Sequence, residues 1–392
     1  MEQVYKINQI VLNDTKSQFG ICFNNGIKTF NTEDFKVKYY SSPIGNISLM
    51  TIVHELNIVV FVGSETNEIY NSKKIVIYDL ISQKDIYSTP FQKEITRINT
   101  INKFLVIGFQ NELKIFSLEK KDTLIPINEI TLDSDLYEFW SESSNELSLT
   151  KIYLANFSPK DSSIYLYIGN DWNFDKPKNY KIHVSKIQNI FFVKKLNQII
   201  IPDETAYYIY GINVDDGKQT LCLYRGRNPG IITSVVLLNK NYLAINNLNR
   251  KIYIYDIEGN NNNYNIGNYI GGLIYGNYIS SFMVIPYDKI IEEKEGEFYQ
   301  ADFQKKGAVL SCEDQGIELK IFAFNGVAYK LRINFLKKEF EILLKEKFAK
   351  YKIEQMEENT INDSDLYSSY NSIFDNSKKK EKKEENKFVF IQ

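Results

Sequence analysis

Ile252-Tyr253-Ile254-Tyr255-Asp256 is one copy of a short pattern that decides the fold. The pattern begins with a polar residue. An aliphatic residue, any residue, an aliphatic residue or Thr, an aromatic residue and a turn former then follow in that order. Such alternation between turn formers is typical of a β-strand. Five copies precede it: Ile27-Lys28-Thr29-Phe30-Asn31, Ile75-Val76-Ile77-Tyr78-Asp79, Leu113-Lys114-Ile115-Phe116-Ser117, Ile164-Tyr165-Leu166-Tyr167 and Tyr207-Tyr208-Ile209-Tyr210-Gly211. Successive copies lie about 40 to 50 residues apart, close to the blade repeat of a β-propeller.

A seventh copy is either Ile321-Phe322-Ala323-Phe324-Asn325 or Ala328-Tyr329-Lys330-Leu331, because the two overlap too closely to be separate blades. Upstream of most copies lies a second apolar run, such as Phe104–Gly108 or Tyr242–Ile245. Two paired strands per copy fit a four-stranded blade. A β-sandwich is the alternative, but a sandwich has no reason to repeat at blade length. The sequence therefore predicts an all-β, seven-bladed propeller over residues 1–345.

Composition limits the compartment and the partners. The chain has 392 residues, a net charge of −2 and 14% aromatic residues, so it can bury a large core but does not favour nucleic acid as a partner. Its cysteines, Cys22, Cys222 and Cys312, follow no metal or disulfide spacing, which fits a reducing compartment. No secretory signal begins the sequence, and no run reaches the roughly 18 apolar residues of a membrane span. We expect a soluble, cytoplasmic protein.

The composition changes near the end of the sequence. The composition of residues 346–392 predicts a helical or disordered charged tail, in which Lys378–Lys387 is a solvated run of charged residues. The best helix candidate in the chain is Leu336–Glu358. Within it, Phe340–Leu344 has an alternative interpretation as the outer strand of the last blade.

Catalytic constellations are missing from the sequence. It has two histidines, His54 and His183, and neither belongs to a metal-ligand spacing. We find no glycine-rich phosphate loop of the nucleotide-binding types. We therefore expect no enzyme, no metal and no cofactor, and a protein that acts by binding other molecules.

Arginine is used sparingly, which draws attention to one pair. Only five of the 47 basic residues are Arg, and Arg225 and Arg227 stand one residue apart. A guanidinium recognises phosphate or carboxylate in a planar, bidentate way that Lys cannot copy. The alternative is two ordinary surface arginines at a blade junction.

The segment around this pair, Leu223–Val236, reads LYRGRNPGIITSVV and resembles the Phe-Arg-Arg-Gly signature of the PROPPIN family. These are seven-bladed propellers that bind polyphosphoinositides, and the resemblance covers roughly residues 8 to 335. It implies that Arg225 and Arg227 lie between blades five and six and point into separate headgroup pockets. It also implies that His183, in the segment that opens blade five, helps to bind a headgroup.

The sequence departs from this family pattern in the pockets. A Gly separates the two arginines, which shifts one side chain relative to the strand. At the blade-five position, Ile201–Thr205 adds two carboxylates near the anion site. At the blade-six position, Asn247 and Lys251 could still donate hydrogen bonds to a headgroup.

The resemblance implies two further contacts. The family inserts a loop of blade six into the bilayer, and the matching stretch here is Glu258–Tyr278. Its apolar residues suit the interfacial zone: Tyr269, Ile270, Leu273, Ile274 and Tyr275. The alternative is that this stretch is simply the outer strand of blade six. Asn13 falls where some members carry an Asn that contacts a partner protein.

Two hypotheses of different classes follow. In the first, the chain recruits autophagy-type protein partners to autophagosomal, endosomal or vacuolar membranes. There it would bind phosphatidylinositol 3-phosphate or 3,5-bisphosphate as a peripheral membrane protein. In the second, it is a propeller scaffold for proteins whose lipid pockets have decayed. The pair Arg225 and Arg227 favours the first, whereas Pro202, Asp203 and Glu204 favour the second.

Overall fold

Seven antiparallel sheets form the described part of the chain, and each is built from strands that follow one another in sequence. The computed structural model describes residues 6–41, 45–67, 69–143, 150–182, 187, 189–203, 208–224, 230–239, 241–248, 251–258, 281–290, 308–312, 317–324 and 326–348. The predicted all-β, seven-bladed propeller is confirmed. First strands of neighbouring blades contact one another at the junctions of blades 1 and 2, 2 and 3, 4 and 5, 5 and 6, and 6 and 7.

The first three blades each contain four strands. Blade 1 comprises β1 (Ile7–Leu12), β2 (Gln18–Phe23), β3 (Gly26–Asn31) and β4 (Val37–Ser41). Blade 2 comprises β5 (Ile47–Val53), β6 (Ile58–Gly63), β7 (Lys74–Asp79) and β8 (Lys84–Pro90). Blade 3 comprises β9 (Arg97–Ile101), β10 (Phe104–Phe109), β11 (Glu112–Ser117) and β12 (Ile125–Thr131).

Blades 5, 6 and 7 also contain four strands, whereas blade 4 contains five, because both β16 and β17 pair with β15. Blade 4 comprises β13 (Tyr137–Ser143), β14 (Thr150–Ser158), β15 (Ser163–Asn170), β16 (Asn173–Phe174) and β17 (Lys178–Lys181). Blade 5 comprises β18 (Phe191–Val193), β19 (Gln198–Pro202), β20 (Tyr208–Asn213) and β21 (Gln219–Tyr224). Blade 6 comprises β22 (Ile232–Leu238), β23 (Tyr242–Asn247), β24 (Lys251–Asp256) and β25 (Met283–Pro286). Blade 7 comprises β26 (Ala308–Cys312), β27 (Glu318–Ala323), β28 (Val327–Asn334) and β29 (Glu339–Lys347). Short 3₁₀ turns lie at Lys194–Leu196 and Tyr287–Lys289.

The repeated pattern of the sequence marks one structural position. Its first six copies overlap the third strands of blades 1 to 6, namely β3, β7, β11, β15, β20 and β24. The seventh copy is Ala328–Leu331, because it lies in β28, the third strand of blade 7. The other candidate, Ile321–Asn325, overlaps the second strand, β27. The upstream apolar runs are second strands, and β6 and β10 are buried along their whole length. A second strand is covered on both faces by neighbouring blades, which explains its continuous apolar run.

The helix predicted at Leu336–Glu358 is wrong over its described part. Residues Glu339–Lys347 form β29, which pairs with β28 along its length. The alternative interpretation, an outer strand of the last blade, is correct, because pairing to a neighbour overrides local helical preference. This strand ends at Lys347, two residues beyond the predicted end of the propeller at 345. The rest of the predicted tail, residues 349–392, lies outside the described residues.

Aromatic side chains close the ring between blades 7 and 1. Phe19 of β2 is fully buried. Its ring centroid lies 4.3 Å from that of Phe322 in β27 and 5.6 Å from that of Phe348. Phe30 stacks on Phe19 at 4.7 Å, and Phe35 meets it edge-on at 6.2 Å. Because no strand is shared between these two sheets, side-chain packing holds this seam.

A charge network lies beside these aromatic rings. Glu33 of blade 1 accepts hydrogen bonds from Lys320 and Lys330, which face each other across β27 and β28. Lys320 is almost completely buried, with 2% of its side chain exposed. Lys330 also donates to Glu318 at 3.1 Å. The carboxylate of Glu33 therefore offsets the repulsion between two opposed ammonium groups.

Glu33→Gln is expected to lower the free energy of unfolding by about 2 kcal/mol, because it removes a carboxylate partner of the buried ammonium of Lys320. The effect stays below that of a fully buried pair, since half of the Glu33 side chain is exposed. Urea unfolding followed by tryptophan fluorescence measures it. Glu129→Gln is the control, because Glu129 pairs with Lys114 at the surface, where we expect less than about 1 kcal/mol. Equal costs for the two variants would contradict the role of Glu33.

Candidate ligand-binding surfaces

The link between blades 5 and 6 joins matching ends of the two sheets. Strand β21 ends at Tyr224, opposite Tyr208, where β20 begins. Strand β22 begins at Ile232, opposite Asn247, where β23 ends. The turns between second and third strands therefore lie at the same end as the link. The arginine-containing motif falls in this link by its position in the sequence.

The three residues predicted to bind a headgroup most directly, His183, Arg225 and Arg227, lie outside the described residues. The structure does describe the chain beside them. Ile187 forms an antiparallel bridge with Asp203, which directly follows β19. Ile187, four residues after His183, therefore lies at the end of blade 5 where the link leaves. Headgroup binding by the three residues stays a prediction.

Asn247 and Lys251, predicted as further donors, face each other across β23 and β24. Asn247 is buried, with 1% of its surface exposed, whereas Lys251 is exposed. Lys251 can therefore reach a ligand in solvent, and Asn247 cannot do so without a change of conformation. Asp203, one of the two added carboxylates, is also buried, with 4% exposed. Binding through Asn247 and Lys251 stays a prediction.

The neighbouring Asn246 organises the interior of blades 6 and 7, which sequence reasoning did not find. Its amide donates to Thr233 Oγ1 at 2.6 Å and to the backbone carbonyl of Ala308 at 3.0 Å. Its Oδ1 accepts a hydrogen bond from the hydroxyl of Tyr287 at 2.7 Å. Burial raises the pKa of that hydroxyl far above its ordinary value. The amide of Asn246 thus satisfies buried groups of two blades.

We expect Asn246→Ala to lower the free energy of unfolding by about 2 to 4 kcal/mol, because the buried Tyr287 hydroxyl loses its hydrogen bond to Asn246 and the Ala308 carbonyl keeps only the Thr233 hydroxyl of its two side-chain donors. Thermal and urea unfolding measure the change. Asn128→Ala is a control, because Asn128 makes one part-buried bond from its amide to the Trp172 carbonyl. A cost no larger than that of Asn128→Ala would show that water replaces the lost bonds.

The predicted membrane loop lies largely outside the described residues, including Tyr269, Ile270, Leu273, Ile274 and Tyr275. Its ends are described. Strand β24 ends at Asp256, and the backbone N–H of Phe282 donates to the carbonyl of Ile254 at 2.7 Å. Strand β25 already holds the outer position of blade 6. The alternative interpretation, in which the apolar stretch itself is an outer strand, falls on residues that the structure does not describe and stays untested.

Asn13, predicted to contact a partner protein, holds the turn between β1 and β2. Its amide donates to Thr15 Oγ1 at 2.8 Å and to Ser17 Oγ at 3.2 Å. Its Oδ1 accepts from the backbone N–H of Gln18 at 2.8 Å, and only 4% of the residue is exposed. Partner binding here stays a prediction, and a partner would meet the turn and not this amide.

A cavity of about 1260 Å³ opens beside the turns that join first and second strands. Its basic lining residues come from blades 1, 2, 5 and 7: Lys16, Lys38, His54, Lys194, Lys195 and Lys320. Asp14 and Glu33 are its acidic members, and Trp140 and Phe192 stack in its wall at 3.6 Å. Burial raises the pKa of Asp14 to about 6 despite a hydrogen bond from the Asn102 backbone. The sequence could not reveal this cavity, since the residues that line it are far apart in the chain.

The described residues contain no cluster of His, Cys, Asp and Glu side chains that could hold a metal ion. All three cysteines are buried and unbridged, and burial raises the pKa of the Cys222 thiol to about 11. Among the residues of known placement, no helix has the length and apolar character to cross a bilayer.

Known proteins resemble the chain mainly in fold. Hsv2 from Kluyveromyces marxianus superposes with a TM-score of 0.65 at 12% identity, covering 88% of this chain and 100% of that one. KlAtg21, in a complex with the coiled-coil of AgAtg16, gives a TM-score of 0.64 at 12% identity with the same coverage.

The sequence comparisons are narrower. SVP1-like protein 2 from Pichia angusta is 24% identical over 125 residues, which is 31% of this chain. The match spans 34% of that relative, about a third of its length. No model of a protein family matches the chain. The resemblance to the PROPPIN family is confirmed, in fold over 88% of the chain and in sequence over 31% of it.

Proposed function

We propose that this chain is a phosphoinositide-binding propeller that recruits partner proteins to autophagic or endosomal membranes. The observation that carries the proposal is the motif LYRGRNPG, which begins in the last two residues of β21 in blade 5 and continues into the link before β22 of blade 6. Two arginines in a link between blades offer planar donors that match phosphate oxygens. Ile187, four residues after His183, bridges to Asp203 beside β19 of blade 5, and Lys251 begins β24 of blade 6, so a headgroup could meet donors from both blades.

Recruitment of a protein partner is supported by one of the similar structures. KlAtg21, whose propeller resembles this one in fold, was solved with the coiled-coil of AgAtg16. We extend this to an autophagy-type partner for the present chain. Its role would then be that of an adaptor, which joins a lipid on one surface to a protein on another and needs no catalytic group.

Co-sedimentation with vesicles tests the proposal. The full chain is mixed with phosphatidylcholine vesicles that contain phosphatidylinositol 3-phosphate or 3,5-bisphosphate. Vesicles with unphosphorylated phosphatidylinositol and vesicles with phosphatidylserine at equal charge are the controls. Sedimentation with the phosphorylated lipids alone supports the proposal, whereas failure to sediment with either of them overturns it.

The second candidate is a protein scaffold with decayed lipid pockets, which the burial of Asp203 and Asn247 favours. A buried carboxylate near the link opposes anion binding, and a buried amide does not reach a ligand. The scaffold predicts that soluble headgroups fail to bind at millimolar concentration while a coiled-coil partner still binds.

A further inference from the structure

The hairpin between β28 and β29 carries the most exposed large apolar side chain of the described residues. Leu336, in its turn, is 98% exposed. Lys337 and Lys338 follow it directly and are exposed, and Glu339 is the first acidic residue after them. A single exposed apolar residue is ordinary on a protein surface. An exposed Leu next to two exposed lysines at the tip of a hairpin is a more specific combination.

Aromatic packing fixes this hairpin to blade 6. The ring of Phe335 stacks on that of Tyr242, with centroids 3.9 Å apart and planes within 13°. Phe282 completes the cluster at 5.2 Å from Tyr242, and the ammonium of Lys338 lies 4.4 Å from the centroid of Phe282. The tip is therefore held in place, and little conformational entropy is lost when Leu336 meets another surface.

The hairpin also packs where the predicted membrane loop of blade 6 is attached. Phe282 is the residue directly before β25, and its backbone is bonded to Ile254 in β24. The described residues that flank the segment 259–280 lie at this end of blade 6. Leu336 thus lies beside the base of that segment, although it belongs to a different blade.

We propose that the hairpin tip Leu336-Lys337-Lys338 is a second membrane contact, which inserts Leu336 into the interfacial zone of an anionic bilayer. The inference rests on the proposed function. A Leu side chain gains from leaving water, and lysines near a negatively charged leaflet add attraction while their stems lie along the apolar zone. Both lysines then meet anionic headgroups in general and need no specific phosphoinositide.

Leu336→Ser tests the contact. We expect about tenfold weaker binding to vesicles of phosphatidylcholine, phosphatidylserine and phosphatidylinositol 3-phosphate. Binding of the soluble headgroup, inositol 1,3-bisphosphate, should not change, because the tip does not contact it. Ile81→Ser is the matched control, since Ile81 is 52% exposed in the corresponding hairpin of blade 2. That hairpin has no lysine between Leu80 and Gln83, and we expect wild-type vesicle binding from this variant.

Vesicle binding by Leu336→Ser at the wild-type level would overturn the inference and leave the proposed function intact. A second measurement uses Leu336→Cys labelled with an environment-sensitive dye, which is selective because Cys22, Cys222 and Cys312 are buried. A blue shift of the dye on bound vesicles supports insertion, and binding without a blue shift overturns it. Binding that depends on Leu336 but not on phosphoinositide would support the contact while the proposed function fails.

Discussion

Arg225→Thr combined with Arg227→Thr is expected to remove phosphoinositide binding from any ordinary vesicle assay. Each arginine–phosphate contact is a charge-assisted hydrogen bond that contributes roughly 1.5 to 3 kcal/mol. Loss of both should therefore cost about 3 to 6 kcal/mol, or two to four decades in affinity. Vesicle flotation and calorimetry with the soluble headgroup measure the loss on the membrane and in solution.

Two comparisons make this result specific. Replacing both residues by Lys keeps the charge but loses the planar fork, so only part of the affinity should return. Arg332→Thr with Lys36→Thr removes the same net charge from exposed positions on blades 7 and 1 and should change binding little. Undiminished binding by the double Thr variant would show that the link between blades 5 and 6 is not the lipid site.

Phe19→Ala is expected to lower the free energy of unfolding by about 3 to 5 kcal/mol. Phe19 is fully buried at the seam between blades 1 and 7, where four other rings surround it. The truncation leaves a cavity at the junction where packing between two sheets closes the ring. Urea unfolding monitored by circular dichroism gives the loss, provided that the slope with denaturant is unchanged.

Phe91→Ala is the control for this seam. Phe91 is only partly buried and packs against Phe109 and Phe116 between blades 2 and 3. We expect a loss of less than about 2 kcal/mol there, because the site is next to solvent and can fill with water. Similar losses for the two variants would mean that the seam at Phe19 adjusts around the missing ring.

The propeller could be predicted because every blade has the same arrangement of strands, so a similar pattern of residues recurs in each. In a third strand such as β24, Ile252 and Ile254 are buried and Tyr253 between them is only half-buried, so the sequence shows a strand-like alternation there, although Tyr255 is buried as well. The last strand could not be predicted as clearly. Glu339–Lys347 contains Glu, Leu and Lys at a helix-compatible spacing, and only its pairing with β28 decides in favour of a strand.

The candidate sites were predictable where one motif carries them. Arg225 and Arg227 stand out because this chain otherwise uses Lys. Arg97 shows the limit of that argument, since its guanidinium donates to the carbonyl of Tyr137 and to Glu138 between blades 3 and 4. Rarity of arginine thus identifies planar hydrogen bonding, but not whether the partner is a ligand or another blade.

Other features depend on residues that only folding brings together. The exposed Leu336 lies in a turn where the sequence predicted the start of a helix, and Tyr242, which anchors that hairpin, lies almost a hundred positions earlier. The role of Asn246 depends in the same way on Ala308 and Tyr287. The local periodicity of apolar residues in the sequence does not indicate such contacts.

Every sheet is built from strands that follow one another in sequence. The chain could therefore be opened between two blades without dividing a sheet. The start of β1 and the residue after β29 meet in one cluster, which contains both Ile7 and Phe348. A circularly permuted chain could therefore join these positions by a short linker. It could begin instead between β8, the last strand of blade 2, and β9, the first strand of blade 3. Every strand of the seven blades would keep its own hairpin neighbours.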